Sequence, residues 1–517
     1  MIIVMDCCFI LPERKIGMFA KLRSLASDTV VYGVSTILGR FLTFLLTPLY
    51  TNYVTKSELG DTAYLYSLIA FVNVVYSCGF DSAFFKYFRT PHKQEPQEVT
   101  LEHNRSVFAH ALMGIAVISS VLTLLFCAFA SSLASALRLE AIAPMIIYAA
   151  LIAFFDALVL VPFAALRMES RSKRFALLKF SVIVLNISAN LMFVVYLGMG
   201  IRGIFLSGLL SSFMGLLLVL PEIRRYILAG KISFDSNLFR ELWHFGLPTV
   251  PAAFSAMMLQ VVDRPILKMF VDSSAVGLYQ ANYRLGIPMM LMVTVFEYAW
   301  KPFYLREASR PASRSQRRAH YAMIARVLTY FTIVCGLVFL IAGLYMEFVV
   351  RLPFLGGRFV NPAYWSGLSI IPIILGAYYC NGLYTNFAAS VYIRKRTKYL
   401  PGITGAAALA NIVFNLILIP HYGIWGAAWS TLGAYMLSAG LMYRLTRKIY
   451  PIHYEWRRVA IAVLLCLGVF LAAEFSTAEM SLAWSFWART AWICAYPLLL
   501  LGLGFFKTEE TALLPQK

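Results

Sequence analysis

Four basic side chains, Arg40, Arg264, Lys268 and Arg284, interrupt stretches of sequence that are otherwise almost wholly apolar. A guanidinium presents a planar fork that grips two phosphate oxygens at once, so arginines sunk in an apolar setting suit a diphosphate. Arg264 and Lys268 stand at i and i+4, where they share a helix face, repel one another and require an anion. That anion is either a lipid headgroup at the outer end of the helix or a ligand in a cavity. Asp263 points about 100° away round the helix and is free to pair elsewhere. Three acids complete the set: Asp81, Asp156 and Glu297. Asp81 and Glu297 are followed by Lys86 and Lys301, and a salt bridge at either place would close an inner gate. Asp156 either pairs with a deep arginine or titrates to couple transport to protons. The basic set therefore reads as substrate-binding, and Asp81, Asp156 and Glu297 as gating or coupling.

These residues need a frame, and the composition supplies it. Of 517 residues 60% are hydrophobic and 14% charged, where a soluble domain has roughly half and about a quarter. The apolar residues fall into about fourteen blocks long enough to span roughly 30 Å of hydrocarbon: 28–54, 61–88, 106–130, 142–166, 175–198, 202–222, 243–270, 275–300, 321–350, 362–392, 400–420, 422–443, 459–475 and 481–506. An all-α polytopic membrane protein is predicted; a soluble enzyme, a disulfide scaffold and an outer-membrane barrel are excluded. Arg40, Arg284 and Asp156 then lie ~13–21 Å from a span end at about 1.5 Å per residue, too deep to reach water without a wet cavity. Lys179 and Arg326 sit near span ends and snorkel. Arg489 is deep but falls in the last span, where a structural role and a headgroup contact are equally open.

The formal charge of +20 follows topology rather than nucleic acid. Connections after even-numbered spans are basic, as in Arg167, Arg171, Lys173 and Arg174, or Arg394, Lys395, Arg396 and Lys398, whereas those after odd-numbered spans are short and hold little beyond Lys56, Arg138, Arg202, Arg351 and Arg358. The positive-inside rule makes both termini cytoplasmic. The sequence divides into a cytoplasmic N-terminus (1–27), a first lobe (28–222), a cytoplasmic linker (223–242), a second lobe (243–443), a cytoplasmic loop (444–458), two further spans (459–506) and a tail (507–517).

The two lobes repeat. A shift of 217 residues lays Pro48 on Pro265, Gly60 on Gly277 and Tyr66 on Tyr283; a shift of 224 lays Pro162 to Ala165 on Asn386 to Ala389. Asn186-x3-Asn190, followed by Gly200-Ile201-Arg202-Gly203 and Ser207, matches Asn411-x3-Asn415, followed by Gly423-Ile424-Trp425-Gly426 and Ser430. Each copy holds an even number of spans, so the halves share one orientation and are related by an axis along the membrane normal, an arrangement that places a substrate cavity between them. Two six-helix lobes plus two C-terminal helices are expected.

The stretch Asp28-Thr29-Val30-Val31-Tyr32-Gly33, with Leu38-Gly39-Arg40, Thr47-Pro48-Leu49-Tyr50-Thr51, Glu58-Leu59-Gly60 and Gly79-Phe80-Asp81-Ser82-Ala83-Phe84-Phe85-Lys86-Tyr87-Phe88, resembles the opening of bacterial polysaccharide repeat-unit flippases. These belong to the multidrug, oligosaccharidyl-lipid and polysaccharide exporter superfamily. The resemblance is strongest over residues 20–90. It implies a flippase of the bacterial inner membrane that moves undecaprenyl-diphosphate-linked oligosaccharides by alternating access for lipopolysaccharide or exopolysaccharide synthesis. It implies as partners the lipid-linked oligosaccharide, membrane lipids, a polysaccharide polymerase and glycosyltransferases. Within the superfamily a peptidoglycan-precursor flippase and an ion-coupled drug exporter are the alternatives. A membrane glycosyltransferase or polymerase fits least, because the outer connections are short. No cofactor is expected beyond a coupling ion, H+ or Na+.

Enzymatic motifs are weak. Gly198-Met199-Gly200-Ile201-Arg202-Gly203 spells GxGxxG between two apolar helices with no strand before it, so it reads as a tight helix–helix turn and not a dinucleotide loop. The eight cysteines show no CxxC or Cys/His spacing, and neither a disulfide nor a metal is expected. Tyr32, Tyr66, Trp300, Tyr378 and Tyr379 are aromatic candidates for stacking on sugar, against the commoner roles of interfacial anchor or core. Met18, followed by Lys21 and Arg23 ahead of the first span, opens a more natural start than the stretch containing Cys7 and Cys8; deletion of residues 1–17 should leave expression and transport unchanged. Reporter fusions after Arg174 and after Lys398 should read cytoplasmic and those near Lys56 and Gly357 periplasmic. A reversed pattern at either pair would overturn the topology.

Overall fold

The computed structural model describes residues 33, 37–42, 44–89, 97–137, 139–228, 233–308, 314–354, 357–450, 452–503 and 505. The Met18 start, Cys7, Cys8, Tyr32 and both terminal segments lie outside them. In the first half the main helices are α1 (Leu46–Tyr53), α2 (Lys56–Ser77), α3 (Phe80–Tyr87), α4 (Gln97–Ala128), α5 (Ala143–Leu158), α6 (Leu160–Met168), α7 (Ser172–Asn190) and α8 (Gly200–Ile227), with a short helix, Ala130–Ala136, between α4 and α5. The second half has α9 (Ser236–Gly246), α10 (Val250–Val261), α11 (Asp263–Phe270), α12 (Ser273–Arg284), α13 (Ile287–Ala308), α14 (Arg314–Arg351), α15 (Ile371–Ile393), α16 (Leu400–Tyr422) and α17 (Ile424–Ile449). The chain ends in α18 (Trp456–Thr477) and α19 (Leu482–Gly502). A two-stranded hairpin, Pro353–Phe354 with Gly357–Arg358, joins α14 to the short helix before α15.

The chain is an all-α, multi-pass membrane protein. Among the described residues nine helices are long and apolar enough to cross a membrane, and the pair Ser236–Val261 and Asp263–Phe270, bent by 52°, makes a tenth. The eighth, twelfth and fourteenth expected spans are helical but do not meet that measure as single apolar rods. The eighth is cut at Leu285-Gly286 into α12 and α13, while α17 and α19 are diluted by glycine, hydroxyl and indole side chains. Hydropathy reads through such breaks because a kink changes direction without changing composition.

The repeat is visible in the helix limits. α1 and α11 begin at 46 and 263, and α2 and α12 at 56 and 273, each offset by the same 217 residues. The asparagine pairs behave alike: Asn190 Nδ2 donates to the Asn186 carbonyl at 2.8 Å and Asn415 Nδ2 to that of Asn411 at 2.8 Å. Ser207 and Ser430 each donate to the carbonyl four residues back, Gly203 and Gly426, at 2.7 Å.

The halves meet at a crossing of two repeat-related helices. A Cβ on Gly60 of α2 would overlap the Ser273 carbonyl of α12, and a Cβ on Gly277 of α12 would overlap the Lys56 carbonyl of α2. Since Lys56 and Ser273 are themselves equivalent under the repeat, the contact is self-complementary, as across a two-fold axis. It lies at the short-loop face, away from the basic connections such as 167–174 and 394–398. On the same face the hairpin is tied to the first half: Asn52 Nδ2 donates to the Arg358 carbonyl at 2.6 Å, Tyr364 OH donates to the Val54 carbonyl at 3.3 Å, and Phe44 packs on Phe359.

Burial interlocks the halves. Leu46, Leu49, Tyr50 and Leu59 of the first half share a core with Leu267, Val276, Tyr364 and Ile374 of the second. Conversely Leu238 and Leu242 of α9, in the stretch read from sequence largely as linker, join the first-half core of Tyr76, Phe80 and Phe108. A third core holds α18 and α19 on α14, with Tyr496 buried beside Gly336. There Arg489 reaches Glu347 at 3.0 Å, Glu474 at 3.5 Å and the Leu344 carbonyl at 2.8 Å, which gives this deep arginine a structural role.

Gly60→Ala should cost about 1–3 kcal/mol, the usual price of overpacking, seen as a lower thermal midpoint of the purified protein. Gly468→Ala, where nothing lies within 4 Å of the added methyl, should leave it unchanged or slightly raised through helix propensity. Equal behaviour of the two variants would remove the crossing as a tight contact.

Candidate functional site

A cavity of about 900 Å³ lies beside α13. One face of that helix forms a wall at Met290, Thr294, Glu297, Lys301 and Leu305, residues three to four apart that an α-helix stacks in a row. α10 and α11 contribute Gln260 and Arg264, α15 contributes Tyr378 and Asn381, and α17 contributes Tyr435 and Ser438. Arg40 comes from the first span. The cavity runs from Arg264 and Tyr283 in the interior to Lys301 and Leu305 towards the basic face; the Gly60–Gly277 crossing lies at the opposite face.

Arg40 Nη1 donates to Thr294 Oγ1 at 2.8 Å, a link from the first half to the second. The side chain is exposed to the cavity, and among the described residues no carboxylate pairs with it. Arg264 has the opposite setting. It is 5% exposed and its Nη1 lies 2.7 Å from Asp263 Oδ1, with further bonds to the Gln260 carbonyl and to Gln280 Oε1. Asp263 in turn accepts from Tyr279 OH at 2.6 Å, and the guanidinium rests over the Tyr283 ring. The inner end of the cavity is thus a neutralised ion pair walled by tyrosines.

The expectation that Arg264 and Lys268 share an anion is corrected: each has its own carboxylate. Lys268 Nζ lies 2.6 Å from Asp61 Oδ1 of α2, and Ser273 Oγ donates to the same oxygen at 2.5 Å. Lys268 is therefore neither cavity lining nor a headgroup anchor, but a tie between the halves beside the glycine crossing. Asp263 does not pair elsewhere, because α11 begins at this residue and its carboxylate folds back onto the Arg264 backbone N–H at 3.0 Å.

Arg284 ends α12 and is half-buried outside the cavity wall, over the ring of Tyr50, whose hydroxyl donates to Asn190 Oδ1 at 2.9 Å. It faces first-half residues, and among the described residues it has no carboxylate. The structure therefore places Arg40 with Arg264 in one cavity, with Arg284 outside its wall. Asp156 pairs with neither deep arginine; it is hydrogen-bonded to Ser212 and faces Lys179 inside the first half. Asp81, at the start of α3, accepts a backbone N–H from Ser82. Lys86 instead sits 3.9 Å over the Phe245 ring and Lys301 4.9 Å over that of Tyr392, so the expected gate salt bridges with Asp81 and Glu297 are not formed among the described residues. Of the aromatic candidates Tyr378 lines the cavity; Tyr66 stacks on Phe205, Tyr379 bonds Thr332, and Trp300 is buried against Phe296.

Asp61, Thr294, Gln260 and Tyr435 were not singled out from sequence. Asp61 carried a signal, since it follows the repeated Gly60; the others are ordinary residues of apolar helices until α13, α15 and α17 assemble.

The family model described as "Polysaccharide biosynthesis protein" matches residues 52–356, more than half of the chain. Among solved structures the chain is similar to the lipid II flippase MurJ in an inward closed conformation, with a TM-score of 0.70, 15% identity and coverage of 92% of this chain and 99% of that one. It is also similar to an inward-facing multidrug resistance MATE family transporter of the MOP superfamily, with a TM-score of 0.59, 14% identity and coverage of 82% and 97%. These likenesses show the fold. An uncharacterized membrane protein of Methanocaldococcus jannaschii is 23% identical over 211 residues, 40% of this chain and 39% of that protein's length.

Asp263→Asn leaves Arg264 buried without its counter-charge and should cost about 3–5 kcal/mol, whereas Asp263→Asn with Arg264→Gln should recover most of it. Denaturation of the purified variants measures this. Wild-type stability in Asp263→Asn would show that the pair does not hold the cavity floor.

Proposed function

Because the chain belongs to the polysaccharide biosynthesis protein family, we propose that it is a flippase that moves undecaprenyl-diphosphate-linked oligosaccharides from the inner to the outer leaflet of the bacterial cytoplasmic membrane. The observation that carries this reading is Arg40. It is a permanent cation in the wall of an interior cavity, bonded to a neutral hydroxyl and lacking a carboxylate among the described residues. An uncompensated charge of this kind is costly at membrane depth and marks a ligand path, and a guanidinium suits a diphosphate.

With the basic face taken as cytoplasmic by the positive-inside rule, the cavity loads from the cytoplasmic side. Outward release requires α2 and α12 to part at Gly60 and Gly277, breaking the Lys268–Asp61 pair. A diphosphate on Arg40 would also loosen the Arg40–Thr294 link between the halves, which couples loading to their movement. Asp156, hydrogen-bonded to Ser212 and facing Lys179 inside the first half away from the cavity, is the group in this reading that would couple transport to H+ or Na+. A polymerase and glycosyltransferases act as partners on the product and substrate sides. An exporter of cationic drugs would favour the reverse charge balance in the wall.

Transport of lipid-diphosphate-linked oligosaccharide into proteoliposomes tests the reading. Arg40→Ala should lower the initial rate by about tenfold or more, while Arg40→Lys, which keeps the charge and loses the fork, should retain a measurable part. Unchanged transport by Arg40→Ala in a correctly inserted protein would overturn it.

A further inference from the structure

The cavity wall on α13 carries an ordered set of polar groups. Thr294, which holds Arg40, is followed by Glu297 and then Lys301, at steps of about 4.5 and about 6 Å along the helix axis for a rise of about 1.5 Å per residue. Glu297 is exposed to the cavity, and it is the one carboxylate among the described lining residues. Among the described residues it forms neither an ion pair nor a hydrogen bond, although Lys301 is one turn away; the lysine ammonium rests over Tyr392 instead. Tyr384 lines the same wall, whereas Tyr304 is buried behind it and Tyr392 carries the Lys301 ammonium on its ring.

An ionised carboxylate placed in a wall meant for a diphosphate would repel it. One turn nearer the mouth than the phosphate-gripping Arg40, Glu297 meets the portion of the ligand attached beyond the phosphates. That portion must offer hydrogen-bond donors and carry no negative charge of its own. A carboxylate accepts two hydroxyls or N–H groups at once, and Tyr384 in the same wall presents a flat apolar surface with a polar tip.

We propose that Glu297 is a specificity-determining residue that binds the phosphate-proximal sugar of the lipid-linked headgroup through its hydroxyl or amide donors. By this assignment the first sugar is neutral or amino-substituted, and a uronic acid at that position is rejected. Glu297 thereby becomes a recognition group for the glycan, distinct from the gate and from coupling. The proposal rests on the flippase reading above and adds the order of subsites, diphosphate at Arg40 and first sugar at Glu297.

Binding to the purified full-length protein in nanodiscs tests it, with two probes: undecaprenyl diphosphate, and undecaprenyl diphosphate bearing one N-acetylhexosamine. Wild type should bind the sugar-bearing lipid about tenfold more tightly, the gain from satisfying a charged acceptor. Glu297→Ala should bring the two affinities together without changing that for undecaprenyl diphosphate. Glu297→Gln, nearly the same in shape and still an acceptor, should keep an intermediate preference. Arg40→Ala should weaken both probes alike. If Glu297→Ala keeps the wild-type preference, or loses affinity for both lipids equally, the sugar assignment is overturned while the flippase reading stands. Failure of wild type to bind either lipid would overturn both.

Discussion

Two helix backbones touch where α2 crosses α12, and they can do so only because Gly60 and Gly277 lack a Cβ. The contact joins equivalent points of the two halves, so each half offers the other the same surface. Once the backbones are this close, neighbouring groups are brought into bonding range: Lys268 and Ser273 to Asp61, and Asn52 to the Arg358 carbonyl. With the short-loop face drawn together, the space between the helices widens towards the basic face, and there the cavity lies.

The charges sort themselves by this geometry. Lys268 and Arg489 are matched by carboxylates and hold helices together, the first across the halves and the second between α14 and the last two helices. Arg264 is matched by its own neighbour and sets the inner end of the cavity. Arg40 and Glu297 face the cavity with opposite signs and without an ionic partner among the described residues, Arg40 reaching from the first span to Thr294, one turn from Glu297 on α13. Intramembrane charge is costly unless paired or wetted, so this division separates the side chains that build the protein from those available to a ligand.

Much of the frame was legible in the sequence because it depends on periodicity and local backbone chemistry. The repeated Gly60 and Gly277, the starts of α1 and α11, and the paired asparagines 186/190 and 411/415 recur in register. What escaped depends on three-dimensional closure. The partner of Lys268 lies 207 residues away, and no spacing rule could select Asp61 over another acid. The Asp263–Arg264 pair arises because a helix begins at Asp263, inside what reads as one continuous apolar span. Arg284 shares with Arg40 the depth that sequence can measure, yet the break after α12 turns it towards Tyr50. Glu297 read as half of a gate because Lys301 is near in sequence, whereas the lysine prefers an aromatic face.

The central claim is that the crossing at the short-loop face must open for transport. Asp61 and Ser273, whose side chains are bonded across the halves, can be replaced together by cysteine in a background lacking other reactive thiols. The flux of lipid-diphosphate-linked oligosaccharide in proteoliposomes is then compared before oxidation, after oxidation and after reduction. The account predicts transport that is lost when the two halves are cross-linked and restored when the bond is reduced. Undiminished transport by the cross-linked protein would contradict it.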